Sequence, residues 1–300
     1  MKLIYSGGEV FKNLMSLLKK VFKNEESLIK FCSTKQSYKV PPLVFPKAFY
    51  NITEKYFNNT LYYVISTKKK TPPNKSLLYV HGGAFVIEIN IIHWLHIKAL
   101  VDKTNAEIYV PIYHLTTPEY SNQIDTVNFI LKIYKKMLET YTPDKITVFG
   151  DSAGGNLIMA ALAQLRDNKL PNPKNIILSS PFFTYEQYEE DKILLNNDPI
   201  LPEIFFTVVN KWQLGKNDVK NTYFSPYFAK PDFIENLYIF CGTDELFSIS
   251  IKRYCKEVLD KNDVKYTLIC EKNMFHDYAT FISFKEAKNA VKKMVSVINN

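Results

Sequence analysis

The sequence predicts an α/β fold, with a mostly parallel central sheet flanked by helices on both faces. Short apolar runs alternate with longer helical patterns from residue 76 to residue 298, which is typical of βαβ units. In addition, six of the nine glycines fall in three clusters, and each cluster directly follows a predicted strand. Ligands bind at the carboxyl ends of parallel strands, so these clusters indicate where a functional site lies.

The predicted elements follow one another in a regular order. A β-hairpin comes first, because two segments rich in aromatic and β-branched residues flank the turn residues Asn58 and Asn59. Later strands are predicted in the segments SLLYV, AEIYVPIY, KITVFG, NIILSS, NLYIFCG and KYTLICE. Helices are predicted at residues 92–104, 121–138, 153–167, 248–260 and 284–298.

Two segments depart from this alternation. Residues 10–23 place apolar side chains on one arc of a helix and lysines opposite, and we expect this helix to dock on its own protein; contact with an anionic membrane surface is the alternative. About fifty residues between NIILSSPFF and NLYIFCG carry helical runs and no strand pattern. We interpret residues 182–222, with about residues 1–40, as a helical cap on a single domain that spans residues 1–300.

The composition argues against several other classes of function. The net charge of +8 does not indicate nucleic-acid binding, because only Arg166 and Arg253 supply the guanidinium fork that favours phosphate recognition. The four cysteines are scattered, and His93 and His96 are interpreted as ordinary helix surface, so neither a metal site nor a cofactor is predicted. No apolar run approaches ~18 residues and no signal peptide is recognisable, so a cytoplasmic protein is expected.

A candidate nucleophile lies in the segment GDSAGG, residues 150–155. It fits the pattern G-x-S-x-G between a strand and a helix, where a sharp, strained turn would expose Ser152. A serine hydroxyl needs a base to take its proton, and His276 follows the last predicted strand. The acid that orients this base should lie between the two, just beyond a strand end. The segment GTDEL supplies Asp244 there, with Glu245 as the alternative.

Backbone donors for an oxyanion are predicted from a second glycine cluster. The segment HGGAF follows an earlier strand, where Gly82 and Gly83 can present bare N–H groups. Ala153, the residue after the nucleophile, supplies another N–H at the start of a helix. His81 is expected to hold this loop in place and not to act as a base.

The segments HGGAF, GDSAGG, GTDEL and FHDY, taken in this order, resemble the hormone-sensitive-lipase-like family of α/β-hydrolase esterases over roughly residues 76–290. The segment YHLTTPEY is similar to the family's Y-R-L-A-P-E. Five residues depart from the family pattern. Ala84 replaces a common third glycine, and Ser248 stands where a second aspartate commonly follows the acid; the Y-R-L-A-P-E segment is altered at His114, Thr116 and Thr117. The resemblance implies an α/β-hydrolase fold whose cap forms the acyl or alcohol pocket.

We therefore predict a metal-independent serine hydrolase that cleaves small-molecule carboxylic esters through an acyl-enzyme. Ser152 is the expected nucleophile, His276 the base and Asp244 the acid, and short to medium acyl chains are expected. One alternative is an amidase or peptidase on the same scaffold, since acyl transfer is common to both reactions. The other is a ligand-binding receptor in which the chemistry has been lost.

Overall fold

An eight-stranded sheet is the central element of the computed structural model, which describes residues 22, 24–33, 41, 44–194, 198 and 200–300. Its strands are β1 (Tyr50–Phe57), β2 (Thr60–Thr67), β3 (Ser76–Val80), β4 (Glu107–Pro111), β5 (Ile146–Asp151), β6 (Asn175–Ser179), β7 (Asn236–Gly242) and β8 (Tyr266–Glu271). The α-helices of the same residues are α1 (Glu25–Ser33), α2 (Ile91–Thr104), α3 (Gln123–Met137), α4 (Ala153–Ala163), α5 (Asn210–Leu214), α6 (Ser248–Tyr254) and α7 (Lys285–Asn299).

The strands lie in the order β1-β2-β4-β3-β5-β6-β7-β8. β2 pairs antiparallel with β1 and with β4, and the other five pairings are parallel. Strands β3, β5 and β6 are buried along their whole length, as expected where helices cover both faces of a parallel sheet. The predicted α/β-hydrolase fold class is confirmed.

The hairpin at the antiparallel edge forms where the sequence predicts it. Its turn residues Asn58 and Asn59 have φ values of 45° and 66°. Two successive residues in the left-handed region are what a tight two-residue hairpin needs, and asparagine tolerates this region better than most residues. The turn therefore fixes the register in which Tyr50 pairs with Thr67.

Two apolar cores lie on opposite faces of the sheet. Helices α2 and α7 cover one face, where Trp94 and Met294 are buried. Helices α3, α4 and α6 cover the other face, with Ile130 and Leu157 among the buried side chains. Because both faces of the sheet are covered by helices, a ligand can enter at the carboxyl ends of the parallel strands.

Short helices connect β6 to β7 in place of further strands. The described part of this predicted cap contains a 3-10 helix at Glu189–Leu194, a π-helical turn at Phe205–Val209 and then α5. Helix α1 packs beside it, since the indole N–H of Trp212 donates to Glu25 Oε1 at 2.9 Å. The predicted helix at residues 10–23 lies outside the described residues except for Phe22, whose ring centre is 5.0 Å from that of Phe205. No helix within the described ranges is long and apolar enough to cross a membrane.

Candidate active site

Ser152 lies on a sharp turn between β5 and α4. Its backbone has φ 49° and ψ −118°, which non-glycine residues rarely adopt. The neighbouring glycines make the turn possible, because a Cβ at Gly150 would lie 2.5 Å from the carbonyl oxygen of Gly154. A Cβ at Gly154 would in turn lie 2.2 Å from the carbonyl oxygen of Val80. The structure thus contains the strained turn that the glycine cluster predicted.

His276 faces this serine from the loop between β8 and α7. Its Nε2 lies 2.8 Å from Ser152 Oγ, so the sequence-predicted nucleophile and base are brought into hydrogen-bond contact. The same nitrogen lies 3.2 Å from Oδ2 of the next residue, Asp277. Burial lowers the pKa of His276, but the negative charges of Asp277, Glu245 and Asp198 outweigh it and raise the pKa to about 9.

Asp244, the predicted acid, is not brought to this histidine. Its Oδ1 accepts a hydrogen bond from the Thr243 hydroxyl at 2.8 Å, and its N–H donates to the Met274 carbonyl at 3.0 Å. The Nδ1 of His276 has no hydrogen-bond partner among the described residues. The expectation that Asp244 orients His276 is therefore not supported by the structure, because the half-buried Asp244 carboxylate turns toward its own loop.

Glu245, the next residue, is fully buried beneath the same turn. Its Oε2 accepts hydrogen bonds from the Ser180 hydroxyl at 2.5 Å and from the Gly242 N–H at 3.0 Å. Its Oε1 has no partner within the described chain. Burial raises the pKa of Glu245 to about 8, and the charge of His276 acts in the opposite direction. A carboxylate oxygen and an imidazole nitrogen thus both lie buried and unpaired, in residues close enough for their charges to interact.

The oxyanion donors also differ from the prediction in one residue. The N–H of Gly82 donates to Asp151 Oδ2 at 2.9 Å, so it is already engaged. The following residues Gly83 and Ala84 have φ values of 112° and 51°, and this turns the loop over Ser152. None of the hydrogen bonds within the described ranges engages the N–H groups of Gly83, Ala84 or Ala153. These three N–H groups are therefore available to a ligand, whereas that of Gly82, a predicted oxyanion donor, is not.

Two residues that the sequence analysis did not assign to the site hold this loop. His93 is buried and not on the helix surface as expected, because helix α2 packs its first turn against β5. Its Nδ1 accepts the N–H of Asn90 at 3.1 Å, so the neutral ring carries its proton on Nε2. This Nε2 lies 3.2 Å from Oδ2 of Asp151, the same oxygen that binds the Gly82 N–H. The burial of His93 could have been inferred from the sequence, because Asn90 and His93 have the three-residue spacing of a capping box at the start of a helix.

The other histidines of this region are buried structural residues. His81 stacks on Tyr113 with ring centres 4.4 Å apart, and its Nδ1 lies 2.6 Å from the Gly82 carbonyl oxygen. His96 is also fully buried, contrary to the expectation of a surface residue, and its Nδ1 lies 3.0 Å from the Tyr79 hydroxyl. Within the described part of the chain, no three histidine, cysteine or acidic side chains are placed to hold a metal ion.

Two cavities of very different size meet at Ser152. The smaller has a volume of about 30 Å³. It is closed by apolar side chains from the cap and neighbouring loops, which include Phe85, Phe182, Phe206, Val209 and Phe247. The larger has a volume of about 310 Å³ and extends beneath Phe22 and Phe31 of the N-terminal segment. His276 and Asp277 line the larger cavity.

Comparison with known sequences agrees with this geometry. The chain matches the family described as alpha/beta hydrolase fold over residues 77–280. It is 27% identical to a triacylglycerol lipase of Mycobacterium tuberculosis over 146 residues, which cover 47% of this chain and 33% of the lipase. It is 24% identical to an esterase of Acinetobacter venetianus over 233 residues, which cover 75% of this chain and 74% of that esterase. The chain thus spans only a third of the lipase but most of the esterase.

Comparison with solved structures shows the same fold. The crystal structure of the HSL homologue EstE7 from a metagenome library covers 97% of both chains with a TM-score of 0.77, at 20% sequence identity. The α/β-hydrolase fold that the motifs indicated is confirmed by these matches.

Proposed function

Because the chain belongs to the α/β-hydrolase fold family, we propose that it is a carboxylic ester hydrolase with Ser152, His276 and Glu245 as its catalytic triad. The observation that carries this proposal is the 2.8 Å contact between Ser152 Oγ and His276 Nε2 at a strained turn. A serine hydroxyl in contact with a buried imidazole is the arrangement that nucleophilic acyl transfer requires.

We assign the acid to Glu245 instead of Asp244. The Glu245 carboxylate is buried, two donors hold its Oε2, and its Oε1 is left unpaired, as is Nδ1 of His276. An unpaired carboxylate oxygen and an unpaired imidazole nitrogen inside a protein are costly, and a small rotation that joins them removes both costs. The acid then keeps the imidazole proton on Nδ1 and stabilises the cation that forms during the reaction.

The reaction begins when Ser152 Oγ attacks the ester carbonyl and His276 Nε2 takes its proton. The negative charge on the carbonyl oxygen is held by the N–H groups of Gly83, Ala84 and Ala153. His276 then returns the proton to the alcohol oxygen, and the carbon–oxygen bond breaks to leave an acyl group on Ser152. A water molecule, deprotonated by His276, hydrolyses this ester in the second half of the reaction.

The two cavities suggest how an ester lies in the site. The alcohol oxygen must reach His276 Nε2 to be protonated, and His276 lines the larger cavity. The acyl chain therefore enters the smaller cavity. A volume of about 30 Å³ corresponds to two or three water-sized positions, at roughly 10 to 15 Å³ each. We propose that short acyl groups such as acetyl and propionyl are preferred.

The nucleophile assignment is tested with the Ser152→Ala variant. Turnover of p-nitrophenyl acetate should fall by roughly 10⁶-fold, because the attacking oxygen is removed, while the intact surroundings leave a small residual rate above the uncatalysed one. A fluorophosphonate should label the wild-type chain once, at Ser152, and leave the variant unlabelled. Unchanged hydrolysis by the variant, with the wild-type circular dichroism spectrum retained, would contradict the proposal.

A further inference from the structure

Two of the four cysteines stand side by side at the parallel edge of the sheet. Cys241 of β7 and Cys270 of β8 are direct register partners. Both belong to the same apolar cluster, so their side chains lie on the same face. Neighbouring strands are about 4.8 Å apart, which falls within the Cα separation of roughly 4.4 to 6.8 Å that a disulfide can bridge. The two thiols are therefore within reach of each other without a change of fold.

The two thiols differ in exposure and in their electrostatic surroundings. Cys241 is fully buried, whereas Cys270 is half-buried on the last strand of the sheet. The neighbouring Cys241 thiol and the positive charge of Lys252 in helix α6 lower the pKa of Cys270 to about 6, although burial opposes the change. Burial raises the pKa of Cys32 to about 11 and that of Cys255 to about 12. Because the thiolate is the reactive form of cysteine, we expect Cys270 to be oxidised faster than Cys32 or Cys255.

We propose that Cys241 and Cys270 form a peroxide-sensitive thiol pair, in which Cys270 reacts first and Cys241 closes a reversible disulfide. The Cys270 thiolate attacks one oxygen of hydrogen peroxide, which breaks the O–O bond, releases hydroxide and leaves a sulfenic acid. The Cys241 sulfur then attacks the Cys270 sulfur, and the sulfenic hydroxyl leaves as hydroxide. The thiol proton of Cys241 and a proton from solvent convert the two hydroxides to water. The two sulfurs are oxidised and the peroxide is reduced.

The disulfide would be under strain. Side chains of in-register parallel neighbours stand near the strand spacing, whereas Cβ atoms joined by a disulfide are about 3.8 Å apart. Closure therefore requires the ends of β7 and β8 to move together. A strained disulfide is also reduced more readily than a relaxed one, so the bond suits a reversible switch.

The movement would reach the proposed catalytic acid. Cys241 directly precedes Gly242, whose N–H donates to Glu245 Oε2 at 3.0 Å. Gly242 also packs closely against the segment that carries the base, because a Cβ there would lie 2.1 Å from the carbonyl oxygen of Met274, two residues before His276. We infer that disulfide closure lowers esterase activity. This second step rests on the proposed function, whereas formation of the disulfide does not.

The chemical step is tested by peptide mapping of the folded chain after treatment with hydrogen peroxide. We expect a Cys241–Cys270 crosslink that dithiothreitol reverses, with Cys32 and Cys255 still reduced in the same sample. The Cys255→Ser variant should form the crosslink, and the Cys270→Ser variant should not and should leave Cys241 reduced. Oxidation of Cys32 or Cys255 at the same rate, or oxidation of Cys270 without a crosslink, would overturn the proposal.

The effect on activity is measured with p-nitrophenyl acetate on the crosslinked chain. We expect the initial rate to fall several-fold and to recover with dithiothreitol, while peroxide leaves the rate of Cys270→Ser unchanged. An unaltered rate in the fully crosslinked chain would overturn the link to Glu245. If the reduced wild-type chain does not hydrolyse the ester, the proposed function is contradicted. The Cys241–Cys270 crosslink can still be detected in that case, by mass spectrometry.

Discussion

The adjacent carboxylates of Asp244 and Glu245 lie in opposite surroundings. Asp244 is half-buried and bonded within its own turn, whereas Glu245 is fully buried and accepts two hydrogen bonds through Oε2. The sequence could place an acid in the segment GTDEL but could not decide which one, because side chains on successive turn residues diverge. Their direction depends on the loop that packs beneath them, which here contributes the hydroxyl of Ser180.

Replacing Glu245 with glutamine should lower kcat on p-nitrophenyl acetate by roughly 10⁴-fold, the loss typical of a triad acid changed to its amide. The loss arises because an amide can hold the imidazole in the wrong tautomer. The matched variant Asp244→Asn should stay within a few-fold of wild type, since among the described residues its side chain bonds only to Thr243. A large loss in Asp244→Asn with none in Glu245→Gln would reverse our assignment.

The pH dependence of hydrolysis should reflect the carboxylate of Asp277. His276 acts as a base only when unprotonated, and its pKa is raised to about 9, so kcat should increase as the pH rises through about 9. The Asp277→Asn variant removes the nearest negative charge, 3.2 Å from Nε2, so the rising limb should move to lower pH. Glu245 and Asp198 also raise this pKa, so part of the elevation should remain. A pH–rate profile that does not move in the variant would contradict this account.

At the scale of elements, the loop between β3 and α2 is held by helix α2. The imidazole of His93 and the N–H of Gly82 share one oxygen of Asp151, which directly precedes the nucleophile. A Cβ at Gly82 would lie 2.4 Å from that oxygen, so this close approach requires glycine. The loop that carries the proposed oxyanion donors is thus fixed to the turn of Ser152 through one buried carboxylate.

The His93→Ala variant should lower kcat by about 10²-fold, comparable to the loss of one oxyanion donor, because the N–H groups of Gly83 and Ala84 lose their fixed position. KM should change less than kcat, because His93 is only one of the many residues that line the larger cavity. His93→Gln should recover part of the rate, because its amide can still donate to Asp151. The exposed His114→Ala variant is the control and should match wild type. A fall in melting temperature with unchanged kcat would reduce His93 to a purely structural role.

The bounds of most helices could be predicted from the sequence, whereas helix α1 of the predicted cap could not. Four predicted helices appear within four residues of their expected bounds, for example residues 284–298 as Lys285–Asn299. The fifth, predicted at residues 248–260, appears as Ser248–Tyr254 followed by a π-helical segment at Cys255–Leu259. The apolar periodicity of these helices is a local property of the chain. Helix α1 was not predicted, because it has only nine residues and is held by tertiary contacts such as the bond from Trp212 to Glu25.

At the scale of the whole molecule, the cap and the sheet edge divide the site into two unequal cavities. Hexyl acetate and ethyl hexanoate are isomers with comparable leaving groups, but their bulk lies on opposite sides of the ester. We expect a higher kcat/KM for hexyl acetate by at least 10-fold, because the large cavity adjoins His276. The Phe182→Ala variant, which widens the small cavity alone, should narrow this ratio. Equal rates for the two isomers in a pH-stat assay would contradict the proposed orientation.

The sequence by itself determined the fold class, the turn that carries Ser152 and the pairing of this serine with His276. These features depend on local periodicity and on glycines that no other residue can replace. Only the tertiary structure favoured Glu245 over Asp244, engaged Gly82 with Asp151 and buried His93 beneath the loop. Each of these depends on which side chains from distant segments meet in space, and the sizes of the two cavities depend on how the cap packs over the sheet edge.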